Sequence, residues 1–209
     1  MSSSPFEIIA GPAIVYVAPV GTSFPAVDEA PSGTWLRLGR TKGGVAAQHN
    51  QTQVDLRGDQ DTAPAKVIRT EESMIISFAL ADLTLENFGR ILNNVAVSDV
   101  APVGPTPGPA VAGYRTITMY QGLTVAQVAM LIRAPSPYLE VLIAYESLGL
   151  DYRLTRASQS GNPKVNFLPN DMATLDSEWK VISDPNAVGA TLLQRFGKLV
   201  ACDALKPTS

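Results

Sequence analysis

Strand-like patterns dominate the chain. Ala13-Ile14-Val15-Tyr16-Val17 is a β-branched and aromatic run fenced by Gly11-Pro12 and Pro19-Val20-Gly21, the punctuation expected of a short strand. A loop holding Pro25, Pro31 and Gly33 follows, then Trp35-Leu36-Arg37-Leu38-Gly39 resumes the apolar pattern. Gly43-Gly44 marks a turn or bulge. From Lys66 to Leu80 the alternation is at its clearest. Ile68, Met74, Ile76, Phe78 and Leu80 share one parity, and Arg69, Glu71, Ser73 and Ser77 fall on the other, with Ile75 the exception. Such period-two alternation predicts a strand with one buried face and one facing water or a partner.

One helix is predicted directly after it. Asp82 or Thr84 can cap it, Glu86 sits in its first turn, Leu85, Phe88, Ile91 and Leu92 form an apolar stripe, and Asn93-Asn94 ends it. Further strands are predicted over 115–120, 125–133, 138–145, 165–168, 173–183 and 197–201. The expected fold is therefore mainly β, a β-sandwich or open barrel with one flanking α-helix, in a single domain over 1–209.

Two stretches break the pattern. Residues 46–65 carry Gln48, His49, Asn50, Gln51 and Gln53, then Gly58, Asp59, Asp61 and Pro64. They are too polar for a core and too long for an ordinary hairpin turn, so they read as a long polar loop, and loops of that length are usually functional or disordered. Residues 101–113 hold four prolines and three glycines, which no ladder or helix tolerates. This second stretch reads as an exposed Pro/Gly loop.

Composition narrows the function. With 45% hydrophobic residues the chain is no disordered segment, and at 209 residues it can bury a core without staples. Only 17% of residues are charged and the net charge is −3. No basic field is present to hold a phosphate backbone, and so sparsely charged a surface suits a protein covered by partners. The single cysteine, Cys202, excludes an internal disulfide and a multi-cysteine metal site. Met1-Ser2-Ser3-Ser4-Pro5 lacks the charged and apolar regions of a signal peptide, and no apolar run is long enough to span a membrane. The expectation is a protein made in the cytoplasm with no membrane anchor.

Candidate chemistry is thin. His49 could act as a general base, but its neighbours Gln48 and Asn50 form a polar stretch and no G-x-S-x-G elbow exists. It reads as a solvated or interfacial histidine. The stretch 39–44, Gly-Arg-Thr-Lys-Gly-Gly, lacks the spacing of a phosphate loop and leads into a strand pattern. Asp55, Asp59 and Asp61 do not match a calcium loop, and Arg57-Gly58-Asp59 is too short a motif to carry weight. Glu71 and Glu72 point to opposite faces of a strand and cannot form an acid/base pair. Arg69, Glu71, Ser73 and Ser77 would share one face, either a solvated surface or the lining of a water-filled channel. No catalytic residue, metal or cofactor is expected.

The order of these features resembles the major tail tube proteins of tailed bacteriophages, most closely those with long non-contractile tails. The resemblance rests on the opening stretch 11–21, on Trp35-Leu36-Arg37-Leu38-Gly39 with Gly43-Gly44-Val45, on Phe78-Ala79-Leu80 leading into Leu83-Thr84-Leu85-Glu86-Asn87-Phe88, and on Trp179-Lys180-Val181-Ile182 with Asp184-Pro185 and Phe196-Gly197. It implies hexameric rings stacked into a hollow virion tube through which DNA passes without specific binding. It also implies tape-measure and tail terminator or initiator proteins as partners, besides the chain itself. The polar stretch then supplies inter-ring contacts through Gln48, His49, Asn50, Gln51, Asp55, Arg57, Asp59 and Asp61, and Arg69, Glu71, Ser73 and Ser77 become candidate lumen residues. In that family lumens tend to be acidic; Arg69 departs from this. The tube of a contractile tail or a secretion system, and a monomeric ligand-binding β-sandwich module, remain as alternatives.

Overall fold

The computed structural model describes residues 13–26, 29–58, 62–93, 95–104, 112–119, 123–134, 150–185 and 195–201. The protein is mainly β, with one short helix. Strands β1 (Ile14–Pro19), β2 (Leu36–Arg37), β3 (Thr41–Leu56) and β4 (Lys66–Leu80) precede helix α1 (Leu85–Ile91). Strands β5 (Val97–Val100), β6 (Tyr114–Ile117), β7 (Gln127–Ala134), β8 (Leu150–Gln159), β9 (Lys164–Asn166), β10 (Thr174–Val181) and β11 (Lys198–Ala201) follow. The main sheet runs β2-β1-β7-β8-β10-β4-β3, with β11 on β8 and β9 on β10, and every pairing is antiparallel.

The sheet is strongly curled. Its two outermost strands, β2 and β3, are consecutive in the chain. The four residues from Arg37 to Thr41 reach at most about 14 Å, whereas seven strands lying flat would hold β2 and β3 about 29 Å apart. Leu38 N–H donates to the Val15 carbonyl at 2.9 Å and Ala81 N–H to the Arg40 carbonyl at 2.8 Å, so the segment 38–40 stitches the two margins together. Among the described residues the hydrogen-bonded ladder does not close into a barrel.

The inside of the curl is the core: Val15, Val17, Leu38, Ile76, Phe78, Leu80, Met130, Ile132, Leu154, Leu175, Trp179 and Val181 pack together, with Ile91 of α1 among them. A second apolar cluster, Tyr16, Ala18, Trp35, Ala129 and Leu131, lies on the other face of β1 and β7 with Phe24 against it. Burial of both faces explains why β1 reads as an unbroken apolar run. The loop bearing Phe24 is held down by buried charge. Arg133 donates to the carbonyls of Glu29 at 2.5 Å and Ala26 at 2.6 Å and meets Asp151 at 3.1 Å; Arg153 donates to the Pro25 carbonyl at 2.7 Å.

α1 begins as its sequence predicts. The Thr84 hydroxyl accepts the Asn87 backbone N–H at 3.2 Å, and Glu86 lies in the first turn. The hairpin β5–β6 rests against the helix through Arg115, which pairs with both Asp99 and Glu86. Gly43 and Gly44, both at positive φ, are extra residues between the pairs Lys42–Ala79 and Val45–Phe78, so they form the bulge the sequence suggested.

Several expectations need correction. Residues 46–56, expected as the first part of a long loop, are strand throughout. The predicted strand at 35–39 shrinks to β2. β8, at the centre of the sheet, and β5 were not predicted at all. The strand expected over 138–145 and the heart of the Pro/Gly loop, 105–111, lie outside the described residues.

Candidate functional site

The most distinctive surface is the outer half of the β3–β4 hairpin. β10 accompanies β4 only as far as the pair Met74–Val181; beyond it, among the described residues, β4 pairs with β3 alone. Asn50 to Leu56 and Lys66 to Ser73 therefore leave the sheet as a two-stranded ribbon, about 23 Å long at the usual strand rise. Nearly every residue in it is exposed, and the outer edge of β3 carries no partner strand among the described residues.

The ribbon's faces differ. On one face the core side of the sheet continues outward as polar groups. His49 Nε2 lies 2.6 Å from Glu72 Oε1, Arg69 reaches the other oxygen of Glu72 at 3.5 Å, and Gln51 Nε2 sits 3.4 Å from His49 Nδ1. Asp55 lies on this face as well and meets Arg57 at 3.4 Å. On the opposite face Gln48 donates to Asn50 at 2.7 Å. Gln48, His49, Asn50, Gln51 and Asp55 are thus drawn together on one strand, split between two faces, with Arg57 just beyond it. Asp59 and Asp61 lie outside the described residues.

The stripe Arg69, Glu71, Ser73, Ser77 does not survive as one face. Thr52 pairs with Glu71 but Gln53 pairs with Arg69, leaving Thr70 as an extra residue on β4. Its hydroxyl donates to the Thr52 carbonyl at 3.3 Å. Because Thr52 and Gln53 point to opposite faces, so do Glu71 and Arg69. Glu71, Ser73 and Ser77 keep a common face, and Arg69 joins Glu72 and His49 on the other. The bulge therefore removes the one basic residue from the stripe.

Sequence reading missed the apolar end of the ribbon. Val54 opposes Ile68 and Leu56 opposes Lys66, with Val67 on the reverse side; Val54 is 45% and Val67 51% exposed. The parity pattern had placed Ile68 in the core, whereas it lies out on the ribbon. A second exposed apolar group, Phe167, Leu168 and Met172, sits on the β9–β10 connection. That connection is pinned to β3 by Lys42 and Asp171, and the ammonium group holds the Asp171 carboxyl below its ordinary range. Runs such as Val54-Asp55-Leu56 and Phe167-Leu168-Pro169 do signal unusual apolar exposure, but only once their surroundings are known to be polar.

Among the described residues no group of three or more His, Cys, Asp or Glu side chains is placed to hold a metal ion, and no helix is long and apolar enough to cross a membrane. The chain matches no protein-family model, and a search of curated proteins likewise found no match.

Proposed function

We propose that the chain is a structural, non-enzymatic subunit that self-assembles into stacked rings forming the hollow tail tube of a bacteriophage, the conduit for its DNA. One observation carries this reading: a two-stranded ribbon, exposed on both faces and apolar at its end, whose β3 edge is open among the described residues. An isolated two-stranded hairpin is at best marginally stable in water, and an open edge is a template for pairing. A second copy laid along the ribbon supplies both the missing packing and the missing strand. The acidic net charge, multiplied around a ring, keeps DNA from adhering to the wall. With Arg69 turned away, Glu71, Ser73 and Ser77 form a stripe suited to such a lumen.

The test is negative-stain electron microscopy of the purified chain at high concentration, beside a variant in which residues 53–70 are replaced by Asn-Gly joining Thr52 to Glu71. Hollow tubes are expected from the natural chain, and a folded monomer from the shortened one. Tubes from both would overturn the role given to the ribbon. A natural chain that stays monomeric at every concentration would overturn the tube reading.

A further inference from the structure

We infer that the mouth of the curled sheet is a binding site for a small organic anion with an apolar body, an aromatic carboxylate being the simplest example. The site lies away from the ribbon and holds whether or not the chain forms tubes. A cavity of about 240 Å³ opens beside the stitched margin, between β1, β7, β10 and the last turn of α1. Its volume is that of about eight water molecules in the liquid, room for one ring and a short tail.

The walls are largely carbon: Val17, Leu36, Leu38, Val128 and the Trp179 ring. The Trp179 indole N–H is already donated to the Ser177 hydroxyl at 2.7 Å, so its ring surface is what it offers a ligand. Among the described residues the lining carries one charged side chain. Arg90, half-buried, lines the cavity from the last turn of α1 and donates to the neutral Asn87 side-chain oxygen at 3.0 Å. Gln127, also in the lining, has its side-chain oxygen occupied by Arg156 Nε, which leaves its amide N–H₂ as a donor. Among the described residues no carboxylate lines the cavity, although Glu86, one turn earlier on α1, feels the Arg90 charge from outside it. An apolar pocket at the margin of a curled sheet, with a guanidinium and an amide donor in its lining, selects an anionic head on an apolar body.

The experiment is an NMR titration of the ¹⁵N-labelled full chain with phenylacetate, its neutral amide and phenethylamine. Phenylacetate should shift the Trp179 indole N–H saturably, with Kd of about a millimolar for so small a ligand. It should bind at least about fivefold tighter than phenethylamine and raise the melting temperature in proportion to its occupancy. Arg90→Gln should abolish the preference for the anion while leaving amide binding unchanged. Arg90→Lys, which keeps the charge, should retain it and guards against a folding defect in the first variant. Absence of saturable binding by all three probes overturns the site. Equal affinity for acid and amine, or a preference that survives Arg90→Gln, overturns the anion assignment.

Discussion

Arg133 and Asp151 face each other as register partners across β7 and β8, 3.1 Å apart and both almost wholly removed from water. Burial pushes the Asp151 carboxyl above its ordinary value, against the pull of Arg133 and Arg153. The pair is therefore better understood as a fastening for Pro25, Ala26 and Glu29 than as a source of net stability.

Arg133→Met leaves a buried carboxylate with a weaker partner, Arg153, and takes the guanidinium donor from the Glu29 and Ala26 carbonyls, of which Ala26 keeps the Glu29 N–H at 3.2 Å. It should destabilise the protein by about 3–5 kcal/mol at neutral pH, with loss of the Trp35 near-ultraviolet signal. The defect should shrink as pH falls, because protonating an acid whose folded pKa is raised favours the folded state. Urea denaturation of both proteins at pH 7 and pH 5 reads this directly, and an equal defect at both values would refute it.

The bulge at Thr70 can be tested by cross-linking. In a Cys202→Ser background, Gln53→Cys with Arg69→Cys places two thiols on register partners, which should join on oxidation. Val54→Cys with Arg69→Cys, which would be register partners if the pairing of Thr52 with Glu71 ran on without the bulge, should stay reduced. The reverse result would restore Arg69 to the face of Glu71.

Gly39 occupies the stitch between the sheet margins with φ +95°, and a Cβ there would lie 2.9 Å from Asp82 Oδ2. Gly39→Ala should cost about 1–3 kcal/mol from backbone strain alone and should loosen the contact of Arg40 with Asp82. Calorimetry would show the lowered melting temperature; an unchanged one would mean the margin is not held there.

Arg40 binds Asp82 through its backbone N–H at 2.8 Å and its guanidinium at 2.9 and 3.0 Å, holding that carboxyl below its ordinary value of 3.8. A lowered acid pKa stabilises the fold above the unfolded value and loses that contribution as pH falls through the folded one. Asp82→Asn should therefore be slightly less stable than the natural protein at pH 6, with the difference vanishing toward pH 2. A difference that persists there would assign the effect to packing.

Much of this fold could be read from the chain, and the exceptions have physical causes. β1, β4 and α1 announce themselves because each buries a regular face, and Thr84 caps as its residue type demands. β8 does not. Its buried positions fall at Asp151, Leu154 and Ala157: an extra residue opposite Val128 and Met130 sets Leu154 and Ala157 three apart on one face, whereas Asp151 is buried on the other face and is charged. Residues 46–56 hide for another reason. Both faces of that strand meet water, so no alternation exists to reveal it. The same kind of irregularity misassigned Arg69: parity counting assumes an unbroken ladder, and one added residue inverts it. The cavity beside Trp179 was invisible because its walls come from segments far apart in the sequence.

The β4–β10 ladder gives the ribbon a mechanical character. The ribbon runs on along β4, whose seven pairs with β10 from Leu80–Leu175 to Met74–Val181 lie across the line of a force that pulls its end outward along the strand. Such a load strains these pairs together in shear, instead of peeling them one at a time. The protruding element is thus anchored along seven residues of the sheet, so the protein would resist tension along the ribbon far better than bending across it.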